Sequence, residues 1–314
     1  MSEQSVAAAA QAERRLSSYR RRILQRNIEG WLFASPFVLG LLVIFIGPMV
    51  ASIVLSFTTY NIVQPPVFIG LGNYREMVKD PLIWHSLRVT TLYAFVAVPL
   101  NLLLGLAVAL LLNQQVAGLG VWRTIYYLPS VVSGVAVALL WEWLFNGRFG
   151  LVNYILELLF NIEGPNWLGD GRTALWAFVV VSIWTVGGSM LINLAALQGV
   201  PTALYEAAQI DGATAWRRFI HITIPMISPV IFYNLVMGLI GALKTFDLFY
   251  IMTNGGPDNA TLTFMLYLYN MAFLRLRMGY GSAMAWLLFV YLLALTAVVF
   301  KSSSRWVHYE STRG

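Results

Sequence analysis

Six long apolar runs dominate this sequence, at about 31–57, 87–112, 125–145, 174–197, 226–252 and 283–300. Each is near or above the roughly 20 residues that cross about 30 Å of hydrocarbon at 1.5 Å per residue. Charged residues are 11% of the chain, against roughly 25% in an ordinary soluble domain, so no polar surface exists to cover these runs in water. With lipid as solvent every backbone amide must find its partner inside the segment. The expectation is an all-α, polytopic membrane helical bundle of about six transmembrane helices. Pro36, Pro48, Pro99, Pro129 and Pro229 lie in or beside the runs, which membrane helices tolerate where neighbours satisfy the freed carbonyls.

Several function classes fall away early. There is no cysteine, and the three histidines, His85, His221 and His308, form no metal-spaced pair. Disulfide frameworks, thiolate chemistry and zinc hydrolysis are therefore not expected, and no metal site is assigned. The formal charge of +6 does not point to nucleic acid, because Arg14, Arg15, Arg20, Arg21, Arg22 and Arg26 sit just before the first apolar run, where a membrane protein marks its cytoplasmic flank. The first run is too long for the apolar core of a signal peptide and is read as a retained span.

Alternation of six spans puts residues 113–124, 198–225 and 301–314 on the same side as that arginine cluster, with twelve Lys and Arg residues against seven on the other side. Both termini are then cytoplasmic. The domain reading is a cytoplasmic Arg-rich tail over 1–29, a transmembrane domain over 30–301 and a cytoplasmic tail over 302–314. Of the outer connections, 58–86 contains Pro65-Pro66 and 254–282 opens on the turn signal Asn254-Gly255-Gly256-Pro257. Residues 262–274 are read as a re-entrant or interfacial helix, an additional span being the alternative. The two halves share no spacing of prolines, glycines or charges, which weighs against an inverted-repeat transporter.

The inner connection 198–225 is the most informative segment. Pro201 suits the first turn of a helix, helix formers run from Ala203 to Ile210, and Gly212 stands where a left-handed residue ends a helix. A second short helix follows, closed by Pro225, with Trp216, Phe219 and Ile220 on one apolar stripe at i, i+3 and i+4. Leu204, Ala207 and Ala208 give the first helix a face of mostly small residues, and Glu206 offers a charge to an arginine partner.

Glu206-Ala207-Ala208, then Asp211-Gly212-Ala213, then Phe219, Ile222, Pro225 and Pro229 at these spacings resemble the cytoplasmic "EAA" loop of ABC importer permeases. Phe68-Ile-Gly-Leu-Gly-Asn-Tyr74 with Asp80-Pro81, Arg123-Thr-Ile-Tyr-Tyr-Leu-Pro129, and Phe246-Asp247 through Thr253-Asn-Gly-Gly-Pro257 are similar to permeases of the carbohydrate-uptake family, which includes the maltose and glycerol-3-phosphate importers. The resemblance runs from about Pro36 to Phe300 and departs at Gly72, where the family often carries a polar residue.

That resemblance implies the type I ABC importer permease architecture, in the inner membrane of a bacterium or archaeon. It implies a second, related permease subunit, two cytoplasmic ATPase subunits that dock on the EAA loops, and an extracellular sugar-binding protein. ATP and Mg would be held by the ATPases, and this chain would bind no cofactor. The sequence agrees with that division. The nearest approach to a phosphate loop, Gly238 to Lys244-Thr245, has Leu243 where the second glycine must stand.

Within the spans, Lys244 and Asp247 are ionisable groups that lipid would penalise unless they face a cavity or a partner, and their i, i+3 spacing allows them to pair. Asn101, Asn193 and Asn234 are candidates either for hydrogen bonds to solute hydroxyls or for bridges between helices. The reading from another class is a secondary transporter or channel working without an ATPase, in which an EAA-type loop would have no purpose.

Overall fold

The computed structural model describes residues 24–114 and 117–308. The Arg14–Arg22 cluster and Arg313 lie outside that range. The first helix, α1, runs over Leu24–Ser56, and nothing in its most apolar window is buried by the rest of the chain. A wide π turn, Leu41–Ile46, interrupts it just ahead of Gly47 and Pro48, where proline has no amide to give and its ring crowds the preceding turn. A short antiparallel pair follows, β1 (Thr58–Thr59) and β2 (Val67–Phe68), with Thr58 facing Phe68. The buried Asn73 amide, on α2 (Gly72–Lys79), holds that turn by donating to the carbonyls of Ser56 at 2.8 Å and Thr58 at 2.9 Å.

Helix α3, Pro81–Leu112, is 32 residues long, about 48 Å at 1.5 Å per residue. It starts where it does because Asp80 is extended and its Oδ1 accepts the Leu82 amide at 2.9 Å, while Pro81 needs no donor in the first turn.

The third apolar run departs from the expected straight span. It forms α4 (Leu119–Val131) and α5 (Gly134–Leu144), bent by 97°. Pro129 removes a donor near the end of α4, and Val132 and Ser133 then adopt ψ of 139° and 136°, extended backbone that apolar character alone does not reveal. The fourth run bends by 42° between α7 (Ala174–Trp184) and α8 (Gly187–Gln198). Gly187 is required there, since a Cβ would collide with the Tyr126 carbonyl of α4. Between these runs lies α6, Leu151–Phe160, whose Asn153 ties its loop together by donating to the carbonyls of Gly147 and Pro165 and accepting from the Trp167 indole.

After α9 (Thr202–Ile210), helix α10 (Ala215–Arg218) passes through a π turn, Phe219–Thr223, directly into α11, Ile224–Leu243. A break at Lys244–Phe246 separates α11 from α12, Asp247–Met252. Residues 264–274 form α13 (Phe264–Tyr269) and a π turn, Asn270–Leu274. Eleven residues are about 16 Å, too short to cross the bilayer. Within the segment Phe264, Leu266, Tyr267, Met271 and Ala272 are all buried in the protein. Helix α14, Met278–Ser303, is the last span.

Two packed regions mark the ends of the bundle. At one end Ile83, Phe178, Phe249, Phe264, Tyr280 and Met284 build the larger core, with Phe178 and Phe249 stacked at 4.1 Å between centroids. At the other, Ala109, Leu112, Met190, Leu194, Leu197 and Ile227 pack beneath the 199–223 connection. By length and composition four helices among the described residues can cross a membrane, or six if each bent pair is one span.

Candidate functional site

Helix α9 begins after Pro201, which occupies the cap position itself with ψ of 127° rather than the first helical turn. Its end follows from Gly212, at φ +73°, which lets the Ala213 amide reach back to the Ala208 carbonyl at 2.9 Å. Thr214 then caps α10 by accepting the Arg217 amide. Trp216 and Phe219 lie together at 5.6 Å between ring centroids.

The expectation that Pro225 closes this second helix is not met. Pro225 stands in the first turn of α11, and the helix continues through it. The π turn is what permits this: the Ile224 amide bonds to the Phe219 carbonyl five residues back. Pro229 is accommodated in a second way, by the Ser228 hydroxyl, which donates at 2.7 Å to the Pro225 carbonyl that Pro229 cannot serve.

Among the described residues nothing covers the outward surface of the loop. Glu206, Ala207, Asp211 and Gly212 are exposed, Ala208 and Ala213 are half-buried, Ile210 is 88% exposed and Trp216 68%. Ile222 turns inward onto the cluster of Leu197, Val200 and Ile227. The loop therefore presents a face of small residues, two carboxylates and two large apolar side chains, anchored on a packed base.

The span residues divide. Lys244 and Asp247 do not pair, because the helix breaks between them; Lys244 ends α11 while Asp247 opens α12 and is exposed beside Gly134, in the bend between α4 and α5. Among the described residues the one ion pair is Arg277–Glu76. Asn234 donates to the Asn193 carbonyl oxygen at 3.0 Å, and both are buried. Asn101 donates to the Ser182 carbonyl at 2.8 Å and accepts from Ser189 at 3.0 Å. All three asparagines thus bridge helices.

Two of them do more. Asn101 and Asn234 line a cleft of about 330 Å³ between α3, α7, α8 and α11, together with Tyr93, Ser182, Thr185, Ser189, Tyr233 and Thr245. Asn193, Lys244 and Asp247 are not on its wall. The hydroxyl lining escaped the sequence reading, although Ser182, Thr185 and Ser189 recur at i, i+3 and i+7, the spacing of one helix face. No group of three metal-ligating side chains occurs among the described residues.

Residues 101–308 match the family described as the binding-protein-dependent transport system inner membrane component. The chain belongs to that family. This permease is 43% identical over 295 residues, 93% of its length and 95% of the relative's, to the probable ABC transporter permease protein YesP of Bacillus subtilis. It is 38% identical to the trehalose/maltose transport system permease protein MalF of Thermococcus litoralis, covering 87% of this chain and 92% of that one. Its fold is that of a chain in a bacterial alginate ABC transporter solved with a periplasmic protein bound to an alginate pentasaccharide, with a TM-score of 0.79, 22% identity, and coverage of 90% and 96%. A permease of this family is a transport component and not an enzyme, and a channel or secondary transporter is set aside.

Proposed function

We propose that this permease moves a neutral sugar or polyol across the membrane, through the cleft between α3, α7, α8 and α11. One observation carries that reading: the cleft is lined by hydroxyls, amides and apolar groups and, among the described residues, by no charged side chain. Hydroxyls and amides both donate and accept, as polyhydroxylated solutes require, whereas an acidic sugar would leave its charge unpaired in a low-dielectric site. The trehalose/maltose relative agrees with a neutral sugar.

Energy enters at the opposite end. In our reading residues 198–225 face the cytoplasm, as do both termini, and the loop docks on one of two ATPase subunits that hold ATP and Mg. A second permease completes the pathway, and an extracellular sugar-binding protein delivers the solute. Glu206 and the face of Ala207, Ala208, Ile210 and Trp216 would meet the ATPase. Closure of the ATPases would then draw the two loops together and open the cleft outward.

The test is uptake by the reconstituted importer of labelled maltose, trehalose and a glucuronate-containing disaccharide, in the native protein and in Ser182→Leu, which places an apolar branch in the cleft. Neutral-sugar uptake that Ser182→Leu abolishes while the ATPases stay bound is the expected result. Uptake of the acidic sugar alone, or neutral uptake unaffected by the substitution, overturns it.

A further inference from the structure

The loop has an exposed docking face, but it also has a joint. The Tyr205 and Thr223 hydroxyls lie 2.9 Å apart, and among the described residues this is the side-chain hydrogen bond that ties α9 to the helix leading into α11. Tyr205 is half-buried against the cluster beneath the loop, and Thr223 is buried. Their neighbours Glu206, Gln209 and Ile210 all face away.

Thr223 is presented there by the π turn. It is the last residue of Phe219–Thr223, and one extra residue in a helical turn rotates everything beyond it by about 100° relative to what precedes. An unbroken α-helix from Ala215 would aim Thr223 elsewhere. Single π turns inside α-helices are frequent at functional positions. Here the turn sets the stripe of Trp216 and Phe219 and the hydroxyl of Thr223 on different bearings, so that one helix can offer an outer face and grip α9 at once.

We propose that the Tyr205–Thr223 pair is the positioning joint through which displacement of α9 reaches α11 and the cleft. The proposal rests on the reading of residues 198–225 as the ATPase-coupling loop. The pair touches neither solute nor nucleotide. It makes α9 and α11 move as one body, so that a push on the docking face is not spent in bending the Asp211–Thr214 turn.

Because the chain has no cysteine, spin labels at Gln209→Cys on α9 and Gly241→Cys on α11 report the joint directly; both sites are exposed, and a side chain at Gly241 meets no neighbour. In the assembled importer the native distance distribution should be narrow and the same with and without ATP, Mg and vanadate. Tyr205→Phe and Thr223→Val, which delete one hydroxyl each, should broaden it. They should also lower the stimulation of ATP hydrolysis by loaded binding protein about fivefold, the shift that one ordinary hydrogen bond commands. Thr223→Ser should restore both readouts, and the double variant should be no worse than either single.

Narrow distances in both deletions overturn the joint. So does broadening that leaves stimulation at the native level, since the bond would then be structural only. Glu206→Ala in the same series separates this from failure of the docking reading. If Glu206→Ala keeps its ATPases and full stimulation, the docking face falls and the joint with it. If Glu206→Ala is crippled while Tyr205→Phe and Thr223→Val behave as native, only the joint falls.

Discussion

The Asp80 carboxylate accepts a hydrogen bond from the Tyr267 hydroxyl at 2.6 Å, joining positions 187 apart in the chain. The same Oδ2 accepts from Tyr280 at 3.0 Å, while Oδ1 caps α3 through the Leu82 amide. One side chain therefore starts a 32-residue span and fastens to it both the buried helix α13 and the last span. Asp80→Ala removes the cap, worth about 1 kcal/mol, and strands two tyrosine hydroxyls, each a further ~1–3 kcal/mol where burial is complete. The melting temperature in detergent should fall well below that of Asp80→Asn, which keeps an acceptor oxygen for the cap.

The same knot predicts a response to alkali. Burial, and after it the Asp80 carboxylate to which it donates, raise the Tyr267 pKa above its ordinary value. The folded chain thus favours the neutral phenol. Its contribution to stability is complete below the unfolded pKa of about 10 and is lost as pH climbs from there toward the folded value. A thermal series from about pH 8 to pH 11 should show stability turning down near pH 10, and Tyr267→Phe should flatten that descent. A native curve no steeper than that of the variant would show that Tyr267 does not titrate in this way.

Asn193 and Asn234 offer a test by pairs. Asn234→Leu leaves the Asn193 carbonyl oxygen buried without its donor, and the Asn193 amide already has no acceptor. Such bridges average under about 1 kcal/mol within membranes, yet an orphaned polar group costs more than the bond was worth. Asn234→Leu alone should therefore destabilise more than Asn193→Leu with Asn234→Leu together, measured as loss of folded protein with temperature.

What the sequence disclosed and what it withheld have physical reasons. Lipid burial demands runs of apolar residues, so those runs were visible, and a left-handed glycine after a helical stretch marks the end of α9 at Gly212 without ambiguity. The bend at Val132-Ser133 was not visible, because the apolar run continues across it and hydropathy does not show where a helix within that run stops. Pro225 misled because a proline also suits the first turn of a helix, and nothing local announces the π turn that carries the helix through it. The cleft was hidden because Ser182, Thr185 and Ser189 acquire meaning only when Asn101 and Tyr233 arrive opposite them from other helices.

Sidedness is open to a direct check. Gln64 and Gln209 are both exposed and belong to connections that six crossings would place on opposite sides. Cysteines introduced singly at these positions should react with an impermeant maleimide from opposite faces of the membrane, Gln209→Cys only from the cytoplasm. Labelling of both from outside would remove the cytoplasmic assignment of the 198–225 connection.

Coupling supplies the last prediction. Glu206 is exposed on α9 and takes no part in the packed base of the loop, so Glu206→Ala should insert and fold as the native chain does. Truncating one partner of a charge pair that becomes desolvated at an interface typically costs about 2–5 kcal/mol, enough to release the ATPase or to leave its hydrolysis unlinked to transport. Gly212 should be as sensitive for another reason. A side chain there meets open space, so the penalty is not steric crowding with neighbours but the backbone itself, held at φ +73°. A β-branched residue resists that conformation, and Gly212→Val should swing α9 out of line with α10, whereas Gln209→Ala on the same exposed face should be nearly silent. All three belong in one membrane preparation, assayed for retained ATPase subunits, for stimulation by loaded binding protein and for sugar uptake. Native values for both Glu206→Ala and Gly212→Val at equal expression would mean that force enters this permease somewhere other than α9.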